Sequence, residues 1–277
     1  MISRIPGALL RGVMVALLIA TPAMVLPQIS PDAAQAMAFL AICAGLLTVF
    51  EYGSSYPCLF EFRDAAPFNR IRFMMLFVTV LATSLISRGM TEPNSLTVLL
   101  EIVGHVIGRA IDVPYSPVRL LVLMMPEDAS VRELLLVRSA VGLSIIVSLL
   151  SLSVFVLLLG RRSWPLKGGS FNVWVNLPTF DPTGGGDVVM RLERDGRINV
   201  LVGLLLPFLM PVAINKASEH FGQVTMDNPQ TMVWIVAAWA FLPASLFMRG
   251  IAMTRIAAMI DERRRLSSVN RSDLVTA

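Results

Sequence analysis

Charge is the first thing this chain lacks. Only 15% of its 277 residues are Asp, Glu, Lys or Arg, against about 25% in soluble domains. With 55% hydrophobic residues and a mean hydropathy of +0.71, that shortage excludes a large soluble domain and places the chain in the membrane class. Lysine is scarcer still. Lys167 and Lys216 are the two lysines, beside twenty-one arginines. That bias, with abundant Ala, Val and Leu, is expected of a GC-rich genome and hence of a bacterial protein. The two cysteines, Cys43 in an apolar run and Cys58 in a loop, are not expected to form a disulfide. His105 and His220 are the two histidines, and with the cysteines they give no metal-ligand spacing. The net charge of +4 is better read by location than as a sign of nucleic-acid binding.

Catalytic signatures are absent as well. The sequence contains no HExxH, no GxSxG and no paired intramembrane acids, the sets that hydrolysis inside a membrane requires. Gly184-Gly185-Gly186 is not a phosphate loop, because no Lys-Ser/Thr follows at the required position. Asp181 and Asp187 around it do not match a calcium loop. The expectation is a protein that is not an enzyme and carries no metal or cofactor.

Long apolar runs are what the chain does have. Ser139 to Leu159 holds twenty-one residues without charge or proline, enough to cross a hydrocarbon core of about 30 Å at about 1.5 Å per residue. Arg161 and Arg162 follow and mark its inner end. Further spans are predicted over 12–26, 33–50, 73–87, 198–215 and 230–248. The first is read as an uncleaved span rather than a signal peptide, since Thr21-Pro22-Ala23 is a poor cleavage site. Ala34, Ala38, Ala41 and Gly45 in the second span, and Ala140, Ser144 and Ser148 in the fourth, form small-residue faces suited to close helix packing.

Three groups of residues are candidates for function. Within 96–112, Glu101, His105 and Arg109 recur every four residues and form one stripe on a helix. As an intramembrane polar relay they would mark a transport path; as the wet face of an interfacial helix they would mark nothing more. The prolines at 114 and 117 break this helix before a short apolar piece at 118–125, so 96–125 is an interfacial or re-entrant helix pair. Pro207 and Pro211 sit inside the fifth span and predict a kink. The loop 51–72 mixes aromatics with Arg63, Arg70 and Arg72, and Arg263, Arg264 and Arg265 follow the last span. Both clusters suit partner docking or lipid headgroup contact.

The loop 160–197 is the longest extramembrane stretch after Arg138. Residues 171–177 alternate with period two and predict a short strand, and 187–197 predicts a short helix with Arg191, Arg194 and Arg197 every three residues. Sidedness follows from counting Lys and Arg. With 96–125 not crossing, seventeen fall on the side of both termini and six on the other, so the termini are expected in the cytoplasm.

The expected fold is an all-α polytopic membrane protein with about six transmembrane helices, the 96–125 pair and a small cytoplasmic loop cap. Its parts are 1–159 (four spans), 160–197 (the loop), 198–265 (two spans and a basic helical extension) and 266–277 (a disordered tail). The expected function is a non-catalytic scaffold, assembly or accessory component of a complex in the bacterial inner membrane. Its partners are the bilayer and other membrane proteins or further copies of itself, with no nucleic acid. The alternative is a small secondary transporter or channel using Glu101, His105 and Arg109.

Overall fold

The computed structural model describes residues 5–275, except 28, 57, 161–163, 166–170, 182, 184, 222–225 and 227. Arg161 and Arg162, expected to mark an inner membrane boundary, lie outside the described residues. The chain is all-helical among them. In order it forms α1 (Ile5–Val25), α2 (Pro31–Gly53), α3 (Phe68–Arg88), α4 (Ser95–Ile111), α5 (Pro117–Val122), α6 (Val131–Leu159), α7 (Val173–Asn176), α8 (Val188–Phe221) and α9 (Pro229–Val275). Six of these are long and apolar enough to cross a membrane: α1, α2, α3, α6, α8 and α9.

The helix starts are written in the sequence. Ser30 caps α2, with Pro31 in the first turn. Ser116 and Pro117 do the same for α5. Asn94 with Thr97, and Ser130 with Glu133, close reciprocal capping boxes on α4 and α6.

α9 is the spine. It packs against α1, α3, α6 and α8, and Met232, Val233, Val236, Ala237, Met248 and Ala252 on it are completely buried. Around it the core divides into two stacked clusters. One joins the C-terminal end of α1 (Leu26), α5 (Val118, Leu121) and the first half of α9. The other joins Phe62, Phe68, Trp164, Leu177 and Phe180 to the far ends of α6 and α9. The loop residues around Phe62 and those at Trp164, Leu177 and Phe180 therefore fold onto one end of the bundle, and α5 plugs the other. Arg11 meets Tyr52 and Arg264 meets Asp187. The first half of α1 and the last part of α9 thus lie with those loops, at the arginine-rich end.

Glycines set the tightest helix approaches. α4 crosses α6 where a Cβ on Gly104 would strike the Ser139 carbonyl oxygen, and one on Gly142 the Gly104 carbonyl oxygen. Only hydrogen in place of a side chain lets these backbones meet. On α2, Ala41 and Gly45 face inward as the small-residue pattern predicts, whereas Ala38 is exposed. On α6 Ala140 and Ser144 are buried, and Ser148 donates to the Ala240 carbonyl of α9 at 3.3 Å.

Several elements differ from the sequence expectation. The strand predicted at 171–177 is the helical turn α7. Asn172 caps it, accepting from the Val175 amide at 3.4 Å, and no strand among the described residues offers a ladder. The third span starts at Phe68 rather than Phe73, because the fully buried Phe68 anchors its first turn. The separate helix expected at 187–197 is continuous with the fifth span as α8. α9 runs on to Val275 where a disordered tail from 266 was predicted. Arg265 pairs with Asp261 one turn back and Ser268 donates to the Arg265 carbonyl there, local contacts that favour continued helix.

Candidate functional site

One end of the bundle brings polar groups from loops and helices together. Glu61, in the loop after α2, accepts two hydrogen bonds from Arg249 of α9, from Nε at 2.6 Å and from Nη2 at 2.9 Å. This is the fork-to-fork geometry that makes arginine–carboxylate pairs strong. The Thr179 hydroxyl also donates to Glu61. Arg249 Nη1 donates to Asn199 Oδ1 of α8 at 2.9 Å. Asn69 at the start of α3 donates to the Glu61 carbonyl at 2.7 Å. Glu61, through its carboxylate and its carbonyl, and Arg249 together tie two loops to three helices. Burial pushes the Glu61 carboxyl up, but the hydrogen bonds from Arg249 and Thr179 and the arginine charges outweigh it and hold it below its ordinary value of 4.5.

Beside this latch the loop backbone is held from within. Phe62 sits at φ 54°, a region that side chains with a Cβ rarely occupy. Its amide donates to the Asn176 carbonyl at 2.6 Å, and its ring lies 4.3 Å from that of Phe68. The Asp64 amide donates to Asn176 Oδ1 at 3.0 Å. Glu51 at the end of α2 accepts from the amides of Cys58 and Leu59, both at 3.0 Å.

Asp112 ends α4 at the opposite end of the bundle. Its side chain is 3% exposed and lies 3.0 Å from Arg119 Nε of α5 and 2.8 Å from Arg138 Nε of α6. These are close ion pairs without hydrogen-bond alignment, since Asp112 Oδ1 and Arg138 Nε both lack a hydrogen-bond partner.

Of the sequence candidates, Glu101 and His105 are half-buried and Arg109 is exposed. They share one helix, but no hydrogen bond or ion pair joins them. The buried face of α4 is Thr97, Gly104 and Gly108, and its outer face is apolar, with Ile102 and Val106 exposed. Pro207 and Pro211 lie inside an unbroken α8. Pro211 cannot donate to the carbonyl four residues back, that of Pro207, and the Trp239 indole of α9 fills the vacancy at 2.9 Å.

Among the docking candidates, Arg63 is turned inward. It is 9% exposed, and its Nη1 donates to the carbonyls of Glu51 at 3.2 Å and Ser54 at 2.6 Å. Arg72 lies over the rings of Phe68 and Phe241 at 5.3 and 5.5 Å, its Nε buried without a hydrogen-bond partner. Arg70, Arg263, Arg264 and Arg265 are exposed, with Arg264 bonded to Asp187 at 2.8 Å. Among the described residues no three His, Cys, Asp or Glu side chains gather as a metal set.

Sequence reading missed Glu61, Thr179, Asn199 and Arg249. The available signal was Glu61 as an acid in an arginine-rich loop and Arg249 as the first charge after twenty uncharged residues of a long helix. The fold and its polar ties define a multi-pass helical membrane protein. Comparison with family models, curated proteins and solved structures gives no match.

Proposed function

We propose that this chain is a non-catalytic scaffold or accessory component of a bacterial inner-membrane complex, with both termini cytoplasmic. The observation that carries this reading is how the buried acids at the bundle ends are used. Glu61 and Asp112 are each met by arginines from other elements. Such groups hold helices in register, and an acid held by arginines is not a free base.

The outer helices fit the same role. α8 packs lengthwise on α9 and α2 on α1, and both expose apolar side chains, among them Leu205 and Leu209 on α8 and Phe39 and Leu46 on α2. Those faces are available to lipid or to a neighbouring membrane helix. The test is cross-linking in native membranes from cysteines introduced at Leu205 and Leu209, joined to native electrophoresis after mild solubilisation. Defined heteromeric or homomeric products support the scaffold. A monomer that forms no cross-link from either position sinks it.

A further inference from the structure

We propose that the cleft between α1, the end of α2 and the start of α3 with the loop before it is a binding site for the phosphate of an anionic phospholipid. The cleft encloses about 250 Å³ and is lined by Arg11, Tyr52, Arg63, Asp64, Asn69 and Arg70, with aromatic and alanine carbon completing the wall. Three guanidinium groups face one carboxylate. That carboxylate, Asp64, is already paired with Arg63 at 3.4 Å, and Arg63 also serves two backbone carbonyls. Arg11 and Arg70 remain. Arg11 stacks on Tyr52 at 4.7 Å and uses Nη1 on the Gly7 carbonyl at 2.6 Å, and Arg70 is exposed. No acid among the described residues pairs with either. A guanidinium carries five donors in a planar fork that matches phosphate oxygens. Two such groups at one cleft, with no acid among the described residues paired to either, offer an anion a matched set of donors.

The flanking surface selects a lipid over a soluble anion. Leu9 and Leu10 precede Arg11 at 51% and 62% exposure, and Phe50 precedes Tyr52 at 72%. Exposed apolar side chains of the same two spans therefore stand within a turn of the cleft's Arg11 and Tyr52. A phospholipid satisfies both parts at once, its phosphate on Arg11 and Arg70 and its acyl chains along α1 and α2. A free phosphate satisfies only the first. Anionic lipid in the leaflet facing the arginine-rich end supplies the ligand. This site does not depend on the scaffold reading.

The experiment uses the full chain, delipidated in mild detergent, with native mass spectrometry and thermal unfolding as readouts. Phosphatidylglycerol, phosphatidylcholine and inorganic phosphate are added in separate arms. Phosphatidylglycerol should be retained and should raise Tm, and phosphatidylcholine should do neither. Arg70→Gln and Arg11→Gln should each weaken phosphatidylglycerol retention about tenfold, the scale of one lost charge-assisted contact. Arg197→Gln removes an arginine whose side chain is 80% exposed and should leave retention unchanged, which separates a site from net charge. Arg70 is at the surface, so its variant folds even if the Arg11 variant does not. The proposal is overturned if both lipids bind alike, if Arg70→Gln retains phosphatidylglycerol as the wild type does, or if Arg197→Gln costs as much. Equal protection by inorganic phosphate overturns the lipid assignment in favour of a soluble anion.

Discussion

At the scale of single residues, Glu61 and Trp239 carry the most testable chemistry. The Glu61 side chain is 11% exposed and that of Arg249 28%, so removing the acid strands a largely buried guanidinium. Glu61→Ala should cost about 3–5 kcal/mol, the range for breaking one partner of a buried pair, read as a lower Tm in detergent. The sign of the pH dependence follows from the depressed Glu61 value. Ionised Glu61 is favoured in the fold, so its contribution is complete above about pH 4.5 and is lost as pH falls through the folded value. Wild type should lose stability over that acid window more steeply than Glu61→Gln; parallel pH profiles would remove the latch from the account. Trp239 permits a cleaner cycle. Trp239→Phe leaves the Pro207 carbonyl unpaired and should cost about 1 kcal/mol. Pro211→Ala restores the amide that carbonyl lacks, so Trp239→Phe should cost little in that background. Equal costs in both backgrounds would mean that the indole bond is incidental. The sequence shows the vacancy, because a proline always orphans the carbonyl four residues before it. It does not show the donor, which lies 32 residues away on another helix.

At the scale of elements, the question is what makes each helix pair. The spans were legible because uncharged runs near twenty residues have few other uses, and the caps because Ser30-Pro31, Asn94 and Ser130 are local signals. What was not legible is continuity and contact. α8 and α9 continue past the membrane-length runs because charged turns such as Glu193–Arg197 and Asp261–Arg265 keep the helix going through i,i+4 pairs. Period-two alternation at 171–177 misled because a strand needs a partner. The latch was hidden for a different reason: Glu61 and Arg249 are 188 residues apart, and nothing local marks either as the other's partner. Glycine at the α4–α6 crossing gives the prediction at this scale. A Cβ on Gly142 meets the Gly104 carbonyl oxygen and the Gly108 backbone, atoms that cannot rotate away. Gly142→Ala should therefore cost about 1–3 kcal/mol as overpacking. Gly185→Ala, whose Cβ meets nothing within 4 Å, should cost far less. If unfolding in detergent ranks the two variants equally, the close crossing of α4 on α6 is not what holds the pair.

For the whole molecule, the arrangement is a bundle with two different ends. One is closed by α5 and the Asp112 ion pairs. The other is closed by the aromatic loops around Phe62 and Trp164 and by the Glu61 latch. Residues from both chain ends, Arg11 and Arg264, belong to this second end, as an even number of crossings requires. The structure fixes which segments share a side, and the distribution of seventeen basic residues against six proposes which side is the cytoplasm. The inference is physical: arginine-rich segments resist translocation and are held by the anionic inner leaflet. Glu92, in the turn after α3, and Asn172, before α7, lie at opposite ends and are both exposed. In a background where Cys43 and Cys58 are replaced, a cysteine at Glu92 should react with a membrane-impermeant thiol reagent added to intact cells. A cysteine at Asn172 should react only once the membrane is opened. The reverse pattern would place the latch and the phosphate cleft on the outer leaflet, where the basic residues have no anionic surface to hold them, and would overturn both the orientation and the leaflet from which the lipid is drawn.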